Sequence, residues 1–255
     1  NKKIYFLKNN GSIKNIHEVK GDLFQFSGNG QRYIAFKQVG KFIEFFNLKG
    51  ERFWKLRSFE YPYLSHSSKL ILLLIGDQSR VRIIDNSGHE IGVKYLYGRV
   101  CTSIAFANLA DYAGVGFIDG SYYILNESGN IYKKGKVDKD NIIKGIALSN
   151  SGKNALIHYG NIKKDYIKII TPTKERVIPL ASRHVTRTGL YITEDSDIIV
   201  LNEKNIFCYS LTAGSINKIA IQSKRDGTSS IARYKEYVAI TYVLSSGNSM
   251  FMLLH

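Results

Sequence analysis

The sequence predicts an all-β protein built from a repeated four-stranded unit. A short apolar strand that runs into an Asn/Gly turn recurs roughly every forty residues, beginning at Ile4, Phe42, Val81 and Tyr122. Only 3 prolines interrupt a chain that carries 17 Tyr and 13 Phe, which suits short, closely spaced strands. Apolar residues do not follow the helical period over any useful length. A repeat of this length and strand content is typical of a β-propeller, in which each repeat forms one blade.

The chain is expected to form one domain over residues 1–255. With 44% hydrophobic residues it can bury a substantial core, and propellers of this length stay undivided. The longest apolar run, residues 70–75, is far shorter than the roughly twenty residues of a membrane helix, and it is interpreted as a buried strand.

The second repeat shows how a blade is formed. Four antiparallel strands, A (innermost) to D (outermost), are predicted at residues 23–27, 32–38, 41–48 and 51–56. Each junction carries turn residues, such as the Ser-Gly-Asn-Gly sequence at 27–30 between strands A and B. Six such A–B units occur along the chain.

The ends of the chain supply one strand more than six blades need. Residues 4–8 and 249–254 both resemble strand C. In the simplest closure, the C-terminus contributes strands A, B and C of the last blade and residues 12–19 contribute strand D, so that N- and C-terminal strands close the ring. Six blades are favoured. Seven remain possible if the two terminal C strands belong to separate blades.

The blade pattern resembles the WD40-like and PQQ-like propellers. Phe24-Gln-Phe-Ser27, Asn47-Leu-Lys-Gly50 and Ile146-Ala-Leu-Ser149 carry the resemblance, as apolar strands that end in turn residues. It departs from WD40 repeats because no Trp-Asp dipeptide ends a C strand, and from quinone-binding propellers because Trp54 is the single tryptophan. No cofactor is therefore expected.

No catalytic signature supports an enzyme. Nucleophile-elbow, phosphate-loop, HExxH and CxxC patterns are missing from the sequence, so neither catalytic nor metal-binding residues are predicted. The six histidines fall at separate places in the predicted blades: His17, His66, His89, His158, His184 and His255. A metal site needs several ligands to meet, and these positions do not predict that.

Charge placement is the more informative signal. The formal net charge of +15 favours encounter with anionic partners. The B–C and D–A loops share one face of a propeller, and six of the eleven arginines lie in or beside them. Arginine suits forked recognition of carboxylates, and aromatic residues supply interface anchors. The predicted partner-binding residues are Arg57, Arg80, Arg99, Arg183, Arg187, Arg225, Lys224, Tyr61 and Tyr97.

We therefore expect a non-enzymatic scaffold or adaptor that binds an acidic protein partner within a larger assembly. A small-ligand binder or an enzyme at the central channel mouth is one alternative. Non-specific binding of anionic lipid or nucleic acid through net charge is the other, since no specific nucleic-acid signature is present. Abundant Lys, Ile and Asn together with a first residue other than Met favour an exported or membrane-tethered (periplasmic) bacterial domain over a cytoplasmic one.

Overall fold

A computed structural model describes residues 2–8, 10–37, 40–180, 189–195, 197–201, 205–210, 215–220, 230–234, 237–243, 246 and 248–254. Within these ranges the protein is all-β: 25 strands form antiparallel sheets, and the described residues include no helix. Accordingly, no helix in the described part of the chain is long and apolar enough to cross a membrane.

The strands pair in chain order into seven sheets. A hairpin of β1 Lys2–Leu7 and β2 Ile13–Val19 comes first, and five four-stranded sheets, which we call blades 1 to 5, follow it. Blade 1 contains β3 Leu23–Phe26, β4 Arg32–Phe36, β5 Phe42–Asn47 and β6 Arg52–Arg57. Blade 2 contains β7 Tyr61–Leu64, β8 Ile71–Leu74, β9 Arg80–Ile84 and β10 Glu90–Tyr97. Blade 3 contains β11 Cys101–Phe106, β12 Ala113–Phe117, β13 Ser121–Leu125 and β14 Ile131–Lys136.

Blade 4 contains β15 Ile142–Leu148, β16 Ala155–Gly160, β17 Asp165–Ile170 and β18 Glu175–Pro179. Blade 5 contains β19 Gly189–Ile192, β20 Ile198–Leu201, β21 Asn205–Ser210 and β22 Ser215–Ala220. The last sheet has three strands, β23 Ser230–Tyr234, β24 Tyr237–Val243 and β25 Ser249–Leu254. In blade 1 the four observed strands lie within two residues of the predicted bounds, and the largest difference is at strand B, which ends at Phe36 instead of residue 38.

The predicted turns have the geometry that their residues imply. In the first turn of blade 1, the N–H of Gly30 donates to the carbonyl of Ser27 (2.9 Å) and Gly30 has a φ of +67°. Gly152 in blade 4 has the same role, with a φ of +77° and a 3.0 Å hydrogen bond to the carbonyl of Ser149. Glycine is favoured at both positions because L side chains rarely adopt a positive φ.

Burial changes systematically across blades 2 to 4. The second strand is the most buried: every residue of β8, β12 and β16 is buried. The fourth strand alternates between exposed and partly covered residues, as β14 does. This gradient is expected where sheets pack face to face and their fourth strands form the outer rim.

Six apolar clusters join the sheets in chain order. Each cluster combines residues of one sheet with residues of the next, from the hairpin against blade 1 to blade 5 against the last sheet. Ile34 and Ile43 of blade 1, for example, pack with Leu73 and Ile84 of blade 2. Burial of one such side chain contributes about 1.5–3 kcal/mol, so serial stacking of the sheets is the main source of stability.

The two terminal sheets keep apolar surface exposed. Tyr5 and Leu7 of the hairpin are 54% and 60% exposed, and Phe251 of β25 is 63% exposed. Among the described residues β2 pairs with β1 and β25 pairs with β24. A ladder between residues 12–19 and the last sheet is not among these pairings, so ring closure through that strand stays a prediction.

Candidate functional site

One end of the sheets carries the loops that the sequence singled out. We call it the loop face, formed by residues 20–22, 37, 40–41, 58–60, 75–79, 98–100, 118–120, 137–141 and 161–164. Backbone hydrogen bonds tie loops between sheets to loops within sheets: Ser58 N–H donates to the carbonyl of Lys41 (2.9 Å), and Gly98 N–H donates to that of Ser79 (3.1 Å). The predicted grouping of B–C and D–A loops is therefore present, and the loops are held in place by the backbone.

Arg57 and Tyr61 lie at the junction of blades 1 and 2. Arg57 ends β6, is exposed, and is paired in register with Phe42. Tyr61 is half-buried, and its ring meets that of Phe36 edge-on at 6.4 Å. Arg57 can reach a partner, whereas Tyr61 contributes mainly to packing between the blades.

Arg80 is partly buried, and its guanidinium lies over an aromatic ring. Its Cζ lies 4.9 Å from the centroid of the Tyr95 ring, and its Nε is buried without a hydrogen-bond partner among the described residues. A guanidinium stacked in this way is held as a cation–π contact. Arg80 therefore supports the loop face more than it recognises a ligand.

Sequence reasoning missed Arg82 and Glu60, which form the strongest ion pair of this region. Nε of Arg82 donates to both carboxylate oxygens of Glu60 at 3.2 and 3.1 Å, Nη2 adds a further short contact, and Ser58 Oγ donates to Glu60 Oε2 at 2.8 Å. Burial alone would lower the pKa of Arg82, but the Glu60 carboxylate raises it above its ordinary value. The pair is internally satisfied and fixes the start of β7 against β9.

Tyr97 and Arg99 are the exposed members of the predicted set in blade 2. Tyr97 is 60% exposed, and its backbone carbonyl accepts a 3.0 Å hydrogen bond from the Tyr123 hydroxyl. Arg99 is exposed in the loop to blade 3. Phe59, in the preceding loop between sheets, is 65% exposed. The loop face thus offers arginine and aromatic side chains in adjacent loops.

The remaining predicted residues, Arg183, Arg187, Lys224 and Arg225, lie outside the described residues.

A basic cleft on the loop face of blade 1 was not predicted. It has a volume of about 350 Å³ and is lined by four lysines, one carboxylate and two aromatic rings: Lys20, Lys37, Lys41, Lys55, Glu44, Phe36 and Phe42, beside Gly21, Ala35 and Gly40. The sequence signal was weak, because these lysines are up to 35 residues apart and converge only through the register of the sheet. None of the lining residues is among the predicted partner-binding residues.

The histidines do not converge among the described residues, and no group of three or more potential metal ligands occurs there. His158 is fully buried, with its Nε2 3.1 Å from Asp165 Oδ2, and Lys144 Nζ donates to Asp165 Oδ1 at 2.6 Å. His17 lies against Tyr33, with 3.1 Å between Nδ1 and the hydroxyl. Burial lowers the pKa of His17 and raises that of Tyr33 to about 12. Both histidines are core residues with structural contacts.

Comparison with known proteins supports the fold and leaves the function open. The sequence matches no protein-family model, and no curated protein is significantly similar to it. A Kuenenia stuttgartiensis hydrazine synthase structure aligns with a TM-score of 0.58 and 13% identity over 91% of this chain and 80% of the other. A mitotic checkpoint complex structure aligns with a TM-score of 0.58 and 12% identity over 91% of this chain and 72% of the other.

These neighbours show that the chain has a propeller-like all-β fold. In total 1198 solved chains match it, so the likeness describes a common architecture rather than one activity. At 12–13% identity the neighbours' roles do not transfer to individual residues of this chain.

Proposed function

We propose that this chain is a non-enzymatic β-propeller scaffold whose loop face binds an acidic segment of a protein partner within a larger assembly. The observation that carries the proposal is the exposure of Phe59 and Tyr97 on the loop face, where each lies near an exposed arginine. Aromatic residues and arginine are the side chains that dominate binding at protein interfaces. A rigid set of loops also lowers the entropy cost of binding.

Two further observations support a scaffold. Where ionisable residues meet below the loop face, they satisfy one another, as Glu60 does with Arg82 and Asp165 with Lys144 and His158. The mitotic checkpoint complex is by its title an assembly, which accords with a binding role for a propeller-like chain.

The proposed architecture is six blades over residues 1–255, closed by strands from both ends. Blades 1 to 5 have four strands each, and the last sheet has three among the described residues; residues 12–19 would supply its fourth strand. The exposed apolar residues Tyr5, Leu7 and Phe251 on the two terminal sheets favour this closure, because large apolar surfaces are normally covered. Seven blades are the alternative.

The test is affinity capture from native lysate with the whole chain, at two salt concentrations. The variant Arg57→Ala/Tyr97→Ala/Arg99→Ala removes exposed side chains of the loop face. The matched control, Lys153→Ala/Lys174→Ala, removes two positive charges at the opposite end of blade 4. The proposal predicts one discrete acidic protein that is retained at moderate salt and by the control, and is lost with the loop-face variant.

Two outcomes would contradict it. Equal capture by all three proteins would exclude these loop-face residues. Recovery of only salt-sensitive nucleic acid or lipid would show that net charge, rather than a built surface, determines binding.

A further inference from the structure

The basic cleft of blade 1 has fixed walls. Asp22 N–H donates to the carbonyl of Phe36 (3.0 Å), which ties the Lys20 side of the cleft to the end of β4. The carbonyl of Lys41, on the other side, accepts the N–H of Ser58 (2.9 Å). Gly21 lets the two segments approach, since an added Cβ there would lie 3.0 Å from the backbone nitrogen of Phe36. Backbone hydrogen bonds therefore hold both sides of the cleft.

The positive charge in this cleft exceeds what the protein itself neutralises. Glu44 is the single carboxylate among the lining residues, and it already contacts Arg52 Nη1 at 2.9 Å and Lys55 Nζ at 3.5 Å. Among the described residues Lys55 is the one lining lysine that forms an ion pair, and Lys20, Lys37 and Lys41 form none. Three ammonium groups around one concave site repel one another, and a bound anion would relieve that repulsion.

The kind of positive charge indicates the kind of anion. The lining residues include four lysines and no arginine. A lysine ammonium acts as a point charge with three rotatable donors, which suits the several oxygens of a phosphate, whereas the arginine fork suits a carboxylate. A phosphate monoester carries about −1.5 to −2 charges at pH 7 and would neutralise much of the positive charge of Lys20, Lys37 and Lys41.

The apolar wall indicates what carries the phosphate. Phe36 and Phe42 line the same cleft, and Lys55 Nζ lies 4.2 Å from the centroid of the Phe42 ring. The ammonium of Lys55 is thereby placed where the aromatic and basic parts of the cleft meet. A volume of about 350 Å³ is enough for a small organic group in addition to the phosphate.

We propose that this cleft binds a phosphate monoester attached to a flat or apolar group, carried either by a small molecule or by a phosphorylated side chain of another protein. Lys20, Lys37 and Lys41 contact the phosphate, and Phe42 contacts the group that bears it. The site adjoins the proposed partner surface, since Phe42 is paired in register with Arg57, but it uses different side chains, and neither proposal requires the other.

The experiment uses the whole chain and titrates it with phenyl phosphate, benzoate and a short phosphotyrosine peptide, monitored by calorimetry. Phenyl phosphate should bind at least about tenfold more tightly than benzoate. It carries more negative charge and more acceptor oxygens, and one additional charge-assisted hydrogen bond contributes affinity of about this order. If the peptide binds about as tightly as phenyl phosphate, the phosphate is carried by a side chain of another protein. If the peptide binds more weakly, the phosphate is carried by a small molecule.

Variants then assign the binding to the cleft. Lys37→Gln/Lys41→Gln should weaken phenyl phosphate binding about tenfold or more. The matched control, Lys163→Gln/Lys164→Gln, changes the corresponding loop of blade 4 and should leave binding unchanged. Phe42→Ala should weaken phenyl phosphate but not inorganic phosphate. Far-UV circular dichroism checks that each variant is folded.

The proposal is overturned if benzoate binds as tightly as phenyl phosphate, if neither phosphate probe binds the wild-type chain, or if both lysine variants lose binding equally. The variant Arg99→Ala separates the two proposals, because it should weaken partner capture and leave phenyl phosphate binding unchanged.

Discussion

Asp111, in the first turn of blade 3, accepts hydrogen bonds from Ser67 in the first turn of blade 2. Its Oδ1 accepts the backbone N–H of Ser67 (2.8 Å) as well as the Ser65 hydroxyl (2.6 Å), and its Oδ2 accepts the Ser67 hydroxyl. Asp111 and Ser65 are both buried. One carboxylate thus joins two blades at the end of the sheets opposite the loop face.

The same hydrogen bond recurs along the described chain. In four successive turns between the first and second strands, the N–H of the third turn residue donates to the next blade. Asn29 donates to the carbonyl of His66 (3.0 Å), Leu109 to the carbonyl of Asn150 (3.1 Å), and Ser151 to Glu194 Oε1 (2.7 Å). Carboxylates serve as acceptors at two of the four junctions. The repeat therefore specifies contacts between blades as well as strands within them.

Asp111→Ala should destabilise the protein by about 2–3 kcal/mol, because it leaves buried serine and backbone donors without their acceptor. Urea unfolding measures the change. The control is Glu127→Ala, which removes an exposed carboxylate 3.8 Å from Lys69 and should change stability by less than about 0.5 kcal/mol. Equal effects of the two substitutions would show that Asp111 does not join the blades.

The contribution of Asp111 should depend on pH. Burial alone would raise the pKa of its carboxyl, but hydrogen bonds from Ser65 and Ser67 outweigh burial and lower the pKa below its ordinary value. A lowered folded-state pKa stabilises the protein above the unfolded pKa of about 4, and this stabilisation is lost as pH falls through the folded value. The free energy of unfolding, measured from about pH 6 to about pH 2, should therefore fall less steeply in Asp111→Asn than in wild type. Parallel curves would contradict the assignment.

Glu60→Gln should cost about 2–3 kcal/mol, since it leaves Arg82 with only the 4.0 Å contact to Glu90 where the Glu60 and Arg82 side chains are largely covered, at 13% and 17% exposure. Thermal and urea unfolding report the loss. The double variant Glu60→Leu/Arg82→Met should recover most of it, because an apolar pair needs no charge partner. A double variant less stable than the single one would mean that the pair stabilises through a hydrogen-bond network rather than charge compensation.

Ring closure can be tested at Phe251. If another part of the chain covers β25, Phe251→Asp should destabilise the protein by more than about 2 kcal/mol. Phe59→Asp is a matched control, since the two phenylalanines are 63% and 65% exposed in the described structure. Closure also predicts a compact chain with a radius of gyration of about 18 Å by X-ray scattering. A clearly larger radius, together with a harmless Phe251→Asp, would contradict closure.

Strands and turns could be predicted from the sequence because each depends on a few neighbouring residues. The Asn47–Gly50 turn, for example, follows from local hydrogen bonding by Asn47 and the positive φ of Gly50. Contacts between blades depend on residues far apart in sequence. Neither Glu60 with Arg82 nor Ser67 with Asp111 leaves a local pattern that reveals its partner.

The candidate surface was predictable only in outline. Loop positions on one face followed from strand order, but side-chain direction did not: Arg80 packs on Tyr95, whereas Arg57 and Arg99 are exposed. Lys20 and Lys55 line one cleft because the end of the hairpin lies beside the paired strands β5 and β6. Such convergence follows from sheet geometry, which the repeat period alone does not determine.

The most direct test of the scaffold proposal is binding of a defined acidic peptide that contains aromatic residues, followed by fluorescence anisotropy over a range of salt concentrations. Wild type and Lys153→Ala/Lys174→Ala should bind alike and keep measurable affinity at moderate salt, whereas Arg57→Ala/Tyr97→Ala/Arg99→Ala should bind at least about tenfold more weakly. Equal affinities for all three proteins, all abolished by moderate salt, would contradict a specific loop-face site.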